Sequence, residues 1–199
     1  AGGGWVTLDV LLGQIRACRL CESALPHGPR PIIQAGRHAR ILIIGQAPGA
    51  RVHALGEPWR DASGDRLREW LAVSDAQFYD PDRFALMPMG LCYPGNGPAG
   101  DLPPRPECAP LWHDQVHQRL PDLALTVLVG QYAQARYLHA KPKRTMTEHV
   151  RHFAEAPPGR FPLPHPSWRS TNWLRKNPWF ETAALPTLRS QVAQALSLT

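Results

Sequence analysis

The sequence lacks the features that mark membrane-spanning, secreted or disordered chains. No apolar run approaches the roughly 20 residues that a membrane-spanning helix needs, and the N-terminus has no basic-then-apolar signal-peptide pattern. There is also no block of like charge and no internal repeat. With 43% hydrophobic and 19% charged residues, the composition is that of a globular protein. We therefore expect one cytoplasmic, monomeric domain over residues 1–199, with residues 1–6 a tag or a disordered end.

Proline, glycine and basic residues are abundant. The 22 prolines and 16 glycines indicate long, structured loops. The formal net charge is +6, and its surplus is local, because residues 136–176 hold nine Lys or Arg against two Glu. A basic face of this kind suits phosphate contacts, which give salt-sensitive affinity for nucleic acid. A solvated basic surface explains the charge equally well when charge is the only observation.

Short apolar runs alternate with amphipathic segments along the chain. The runs at residues 41–44, 84–89, 125–129 and 160–163 are typical of buried strands. Helices are predicted at residues 7–18, 131–138 and 145–153, from a cap at Ser63, and after Pro178. This alternation predicts an α/β sandwich around a mainly parallel four-stranded sheet. Such sheets bind ligands at the carboxyl ends of their strands, where GQAPG follows the first strand and HPSWR the last.

Four cysteines have spacings that suit a metal centre. Cys18 and Cys21 form a C-x2-C pair, and Cys92 and Cys108 form a C-x15-C pair. A C-x2-C pair can hold one iron or zinc through two thiolates, and in a reducing cytoplasm disulfides are rare. Spacing alone does not separate structural zinc from a [4Fe-4S] cluster. Unliganded buried thiols are the remaining alternative.

Three motifs in this order resemble a known enzyme family. GQAPGARVHALGEPWRDASG (residues 45–64), the four cysteines and HPSWR (residues 165–169) are similar to motifs of the iron-sulfur uracil-DNA glycosylases of thermophiles. That group is the fourth family of the uracil-DNA glycosylase superfamily. The resemblance implies a three-layer α/β/α fold, a structural [4Fe-4S] cluster in preference to zinc, and DNA as the partner. It also implies flipping of uracil out of DNA and hydrolysis of its N-glycosidic bond.

The resemblance assigns catalytic roles to a few side chains. His165 takes the position beside the base carbonyl, where a hydrogen bond strengthens as negative charge builds on the leaving base. Gln46 takes the position that contacts the base and the attacking water. Ala47 stands where the main glycosylase family has a water-activating aspartate. Asp61 is the nearest substitute, although it equally suits the cap of the helix that follows.

The expected base pocket keeps an aromatic ring, although a different one, and departs from the family pattern at two further positions. Trp59 replaces the phenylalanine that stacks on the flipped base, and packing in the core is the alternative for this ring. Gly49 stands where the main family has the tyrosine that excludes thymine. Pro88 stands where the family has the asparagine that reads the uracil edge. These two replacements predict a wider choice of damaged bases.

A DNA-binding loop is expected after the histidine, because aromatic and basic residues are interleaved there. The candidates are Ser167, Trp168, Arg169, Arg175 and Lys176. Trp168 and Arg169 are the candidates to fill the gap left by the flipped base. Trp173 and Trp179 are expected to pack the C-terminal helix instead. The rival function is a non-catalytic or covalent-capturing damaged-DNA-binding protein, which Ala47 and Pro88 favour.

Overall fold

A parallel four-stranded sheet forms the centre of the molecule. The computed structural model describes residues 4–197, so part of the expected disordered end, residues 1–3, lies outside the described residues. The strands are β1 (Ile41–Ile44), β2 (Phe84–Leu86), β3 (Asn96–Gly97), β4 (Gly100–Asp101), β5 (Leu125–Val129) and β6 (Arg160–Leu163). The central sheet has the order β2-β1-β5-β6 with every pairing parallel, and β3 and β4 form a separate antiparallel hairpin. The predicted parallel sheet is confirmed.

Helices cover both faces of this sheet. They are α1 (Leu8–Arg16), α2 (Ala50–Leu55), α3 (Ala62–Leu71), α4 (Asp75–Phe78), α5 (Cys108–His117), α6 (Gln131–Tyr137), α7 (Met146–Arg151), α8 (Thr171–Lys176) and α9 (Leu185–Ser197). Short 3-10 turns lie at Glu22–Ala24, Phe153–Glu155 and Trp168–Ser170, and a π-helical turn at Phe180–Ala184 precedes α9. Within residues 4–197, none of the helices is long and apolar enough to span a bilayer.

The side chains of β1 explain why the fold has three layers. Ile41 and Ile43 pack in one core cluster with residues of α3, α7 and α9. Leu42 and Ile44 pack in a second cluster with residues of α1, α5 and α6. All four side chains are fully buried, because successive residues of a strand point to opposite faces and helices cover both. The predicted α/β/α sandwich is therefore confirmed.

The helices predicted at residues 7–18 and 145–153 end earlier, at Arg16 and Arg151. Two further predicted boundaries are wrong, and each has a local cause. The second strand ends at Leu86, not Met89. The Met87 N–H still bonds the Ile43 carbonyl at 3.0 Å, but Pro88 has no N–H with which to continue the ladder. Helix α3 is capped by Asp61, not Ser63, because Asp61 has extended backbone and its side chain accepts from the Gly64 N–H. Ser63 lies inside the first helical turn.

Two elements near the carboxyl edge of the sheet were not predicted. Helix α2 follows GQAPG directly, with Gly49 at its N-cap. The hairpin of β3 and β4 lies between the third and fourth cysteines, and its register pairs Asn96 with Asp101. Both elements border the carboxyl ends of the central strands, so they shape the site described next.

Candidate active site

A cavity of about 440 Å³ lies where GQAPG and HPSWR meet. The predicted base-contacting and catalytic residues all line it, as do three of the predicted DNA-contacting residues: Gln46, Ala47, Gly49, Trp59, Asp61, Pro88, His165, Ser167, Trp168 and Arg169. Arg175 and Lys176 are exposed in the last turn of α8, outside this lining. The fold therefore brings together segments that are up to about 120 residues apart in the chain.

Backbone hydrogen bonds hold the GQAPG loop against the segment that follows β2. The Gly45 carbonyl accepts from the Met89 N–H at 2.9 Å, and the Gln46 carbonyl accepts from the Gly90 N–H at 3.0 Å. Pro88 directly precedes these two residues and lines the cavity. The loop and the Pro88 segment therefore form one wall, and its position is set by the sheet.

Trp59 forms a second wall and has strained backbone. Its φ is +60°, a left-handed conformation that is costly for a bulky residue. The buried Arg68 donates to the Trp59 carbonyl at 3.0 Å. A Cβ at Gly64 would lie 1.7 Å from the same carbonyl oxygen, and a Cβ at Gly45 would lie 2.7 Å from Cζ2 of the ring. Glycine at both positions lets the indole lie flat against the GQAPG loop.

The imidazole of His165 lies beside this indole. The two ring centroids are 5.9 Å apart with an angle of 34° between the planes. The Ser167 N–H donates to His165 Nδ1 at 3.2 Å, so the neutral ring carries its proton on Nε2. Burial lowers the pKa of His165, and the negative charge of Asp61 partly opposes this. The ring is therefore neutral at pH 7, and its Nε2–H donates to no other group within residues 4–197.

Asp61 caps α3 and also borders the cavity. Its Oδ1 accepts from the Gly64 N–H at 2.9 Å, as the predicted capping role requires. Asp61 lines the cavity, and its negative charge opposes the lowering of the His165 pKa that burial causes. Asp61 therefore both caps α3 and belongs to the site. Activation of water by Asp61 stays a prediction.

The comparison with protein families agrees with this geometry. The family model described as Uracil DNA glycosylase superfamily matches residues 33–189 of the chain. The chain belongs to the uracil DNA glycosylase superfamily. The match covers every residue of the cavity lining except Ile32. It includes Cys92 and Cys108 but begins after Cys18 and Cys21.

In this superfamily member, the four cysteines meet at one place. Cys18 and Cys21 are half-buried, Cys92 and Cys108 are buried, and all four line one small cavity. They come from the end of α1, the segment after β2 and the start of α5. Burial raises the pKa of the Cys92 thiol to about 11. Among residues 4–197, no three or more His, Cys, Asp or Glu side chains are arranged closely enough to hold a single metal ion.

The loop after His165 presents one aromatic side chain to solvent. Trp168 is 77% exposed at the rim of the cavity. The guanidinium of Arg169 lies 5.6 Å from the centre of the Trp168 ring, and its Nη1 donates to the Ala99 carbonyl of the hairpin. By contrast, Trp173 donates to Thr147 Oγ1 at 2.7 Å and packs edge-on to Phe180, as expected for a packing residue.

Sequence reasoning missed two residues that shape this site. His113 is fully buried, and its Nε2 donates to the Pro88 carbonyl at 3.0 Å while Nδ1 accepts from the Tyr137 hydroxyl at 2.6 Å. Burial lowers the pKa of His113 to about 4, so the neutral ring holds Pro88 in place. Asp101, in the hairpin, lines the cavity beside the predicted residues. The turn-forming GNGPAGD segment was a signal for a hairpin, but it gave no sign of where the hairpin would lie.

Proposed function

We propose that this chain is a DNA glycosylase that flips uracil and other deaminated bases out of DNA and hydrolyses the N-glycosidic bond. The observation that carries this proposal is the pairing of His165 and Trp59 in one cavity, with Nε2–H of the histidine left as a donor. An extruded base is held by stacking on an aromatic ring and by hydrogen bonds to its polar edge. Both kinds of group are present here, and superfamily membership supports the same conclusion.

The chemistry needs charge stabilisation on both sides of the bond that breaks. As the bond between C1′ and the base nitrogen lengthens, the sugar becomes positive and the base negative. A neutral His165 donates to the base carbonyl oxygen, and that hydrogen bond strengthens as the oxygen gains charge. A preorganised donor of this kind contributes about 3 kcal/mol to transition-state stabilisation. Gln46, on the facing loop, contacts the base and the attacking water.

The rim of the cavity suits contact with a distorted duplex. Trp168 is large, apolar and exposed, as a side chain that fills the gap of a flipped nucleotide must be. Arg169 at the rim and Arg175 and Lys176 at the end of α8 supply positive charge for phosphates. Ser167 supplies a polar contact. This loop is therefore our candidate for the DNA interface.

The sulfur donor atoms of the four cysteines suit an iron-sulfur cluster. Four thiols line one small cavity, and four cysteine thiolates are the set that [4Fe-4S] clusters take. The thiolates of such a cluster bind different irons, so they stand farther apart than the ligands of one zinc ion. Cys18, Cys21, Cys92 and Cys108 would hold the cluster. It would join three distant segments in a structural role.

The rival function is capture of damaged DNA without turnover. Ala47 supplies no carboxylate in the GQAPG loop, and Pro88 supplies no side-chain hydrogen bond to a base. A protein that kept the fold but lost turnover would have these features. The neutral His165 beside Trp59 favours the glycosylase, because binding alone does not need a donor aimed at a leaving base.

One experiment separates the two functions. The protein is incubated with a duplex that carries one uracil, and the products are treated with alkali and run on a denaturing gel. A glycosylase leaves an abasic site that alkali cleaves, so we expect a strand break at the uracil position. An undamaged thymine duplex is the control. Intact strand, or a protein–DNA adduct that survives denaturant, would favour the capturing protein.

A further inference from the structure

The cavity contains a carboxylate that the assigned roles leave unused. Among the described residues that line it, the carboxylates are Asp61 and Asp101. Asp61 uses one oxygen to cap α3. Asp101 accepts no hydrogen bond from the described part of the chain, and only burial and the charges of Arg169 and Asp61 perturb it. An acceptor that faces a cavity without a partner is free to bind water or substrate.

The fold places this carboxylate against the GQAPG loop. Asp101 ends β4, and its Oδ2 lies 3.6 Å from the position that a Cβ on Gly49 would occupy. The carboxylate therefore stands at the wall from which Ala47 contributes only a methyl group. Asp101 also interacts electrostatically with Asp61, which in turn interacts with His165. All three residues line the same cavity.

Arg169 holds the hairpin in this position. It donates to the Ala99 carbonyl, and its guanidinium occupies the space beside Gly100, where a Cβ would lie 2.2 Å from Nη1. Gly100 has a φ of +111°, which only glycine adopts readily. The hairpin that carries Asp101 is therefore fastened to the loop that carries His165.

We propose that Asp101 is a catalytic residue whose carboxylate accepts a proton from the water that attacks C1′ of the flipped nucleotide. This inference rests on the proposed glycosylase function. The water oxygen bonds to C1′ as its proton passes to Asp101. The bond between C1′ and the base nitrogen breaks, and its electron pair leaves with the base. Nε2–H of His165 stabilises the resulting anion, which takes a proton from solvent after release.

The surroundings of Asp101 suit a proton acceptor better than those of Gln46 or His165. Burial raises the pKa of Asp101, the positive charge of Arg169 lowers it, and the negative charge of Asp61 raises it. A carboxylate with a raised pKa is a stronger base at neutral pH. Gln46 carries no basic group, and His165 Nδ1 already accepts from Ser167.

The test compares variants of Asp101 on a duplex that the wild-type protein cleaves. Asp101→Asn should lower the single-turnover rate by at least about 100-fold, the usual size of a general-base effect. Affinity for abasic DNA should stay within about twofold of wild type. Asp101→Ala in sodium formate should regain part of the rate, because the small carboxylate can take the vacated place. Asp114→Asn, an exposed aspartate on α5, is the matched control and should keep the full rate.

The possible outcomes are distinguishable. An unchanged rate in Asp101→Asn, beside an active wild type, would overturn the role of Asp101 and leave the proposed function standing. Loss of rate without rescue by formate, or with an equal loss of affinity, would also overturn it, since it would make Asp101 a structural part of the hairpin. No base release by the wild-type protein on any damaged duplex would overturn the proposed function and this role together.

Discussion

The backbone N–H of Ser167 donates to Nδ1 of His165 across 3.2 Å, and this contact sets the chemistry of the histidine. Pro166, between the two residues, has no N–H, so Ser167 supplies the first backbone donor after the ring. A protonated Nδ1 could not accept this bond, and burial also disfavours the charged ring. The His-Pro-Ser order therefore keeps a neutral imidazole with its proton on Nε2, directed away from its own loop.

Replacing Gly64 should destabilise the protein and disturb the site. In Gly64→Ala the new Cβ would meet the Trp59 carbonyl oxygen at 1.7 Å, so the strained Trp59 backbone must move. We expect a loss of about 1–3 kcal/mol in the free energy of unfolding, measured by urea denaturation. The matched control is Gly13→Ala in α1, where nothing lies within 4 Å of the new Cβ. That change should be neutral or stabilising by about 0.5–1 kcal/mol, and equal effects of the two changes would contradict this account of Trp59.

The metal centre can be tested by colour and by metal content. If Cys18, Cys21, Cys92 and Cys108 hold a [4Fe-4S] cluster, the purified protein should be brown, with broad visible absorbance and about four irons per chain. Cys92→Ser should bleach this absorbance and lower the melting temperature, because the cluster joins distant segments. Colourless protein with one zinc per chain would contradict the assignment.

Arg175 and Lys176 should contribute to DNA affinity through phosphates. Replacing both with Gln should weaken binding to an abasic duplex and lower the slope of log affinity against log salt by about two. The slope is measured by fluorescence anisotropy at several salt concentrations. The control is Arg37→Gln, which should leave the slope unchanged. Arg37 is exposed and precedes β1, so it lies near the amino ends of the strands, away from the edge that carries the cavity. An unchanged slope in the double variant would place the DNA interface elsewhere.

The protein should accept several damaged bases. A site that hydrogen-bonds one specific edge rejects analogues, because its polar groups would be left unpaired. Pro88 and Gly49 present no such side-chain groups, so stacking on Trp59 and easy opening of the damaged pair should dominate the choice. Single-turnover rates on duplexes with uracil, hypoxanthine, xanthine and mismatched thymine provide the measurement. Release of uracil alone would show that another residue reads the base edge.

The sheet could be predicted from the sequence because its strands are buried on both faces. β1 is a continuous apolar run, and β5 and β6 are apolar except for Thr126 and Arg160. The predicted bounds of all three strands agree with the structure. The sequence does not decide where α3 begins, because Asp61 and Ser63 are both good capping residues and lie only two positions apart. Only the backbone conformation of Asp61 decides between them.

Residues of the site could be predicted only where they belong to a recognisable motif. Gln46, Trp59 and His165 were found through segments with recognisable spacing, and the structure places them at one cavity. Asp101 belongs to a short hairpin without periodicity. Its position depends on Arg169, which contacts Ala99 of the hairpin and follows it in the chain by 70 residues. A long-range contact of this kind leaves no local signal in the sequence.

The most direct test of the account is the effect of His165→Ala on base release and on DNA binding, measured on the same uracil duplex. If Nε2–H stabilises the leaving base, the single-turnover rate should fall by at least about 100-fold while affinity stays near that of the wild type. His152→Ala, at an exposed histidine paired with Glu155 outside the cavity, should keep the full rate. A rate unchanged in His165→Ala, or a loss of rate matched by an equal loss of affinity, would contradict the central claim that His165 acts in the transition state.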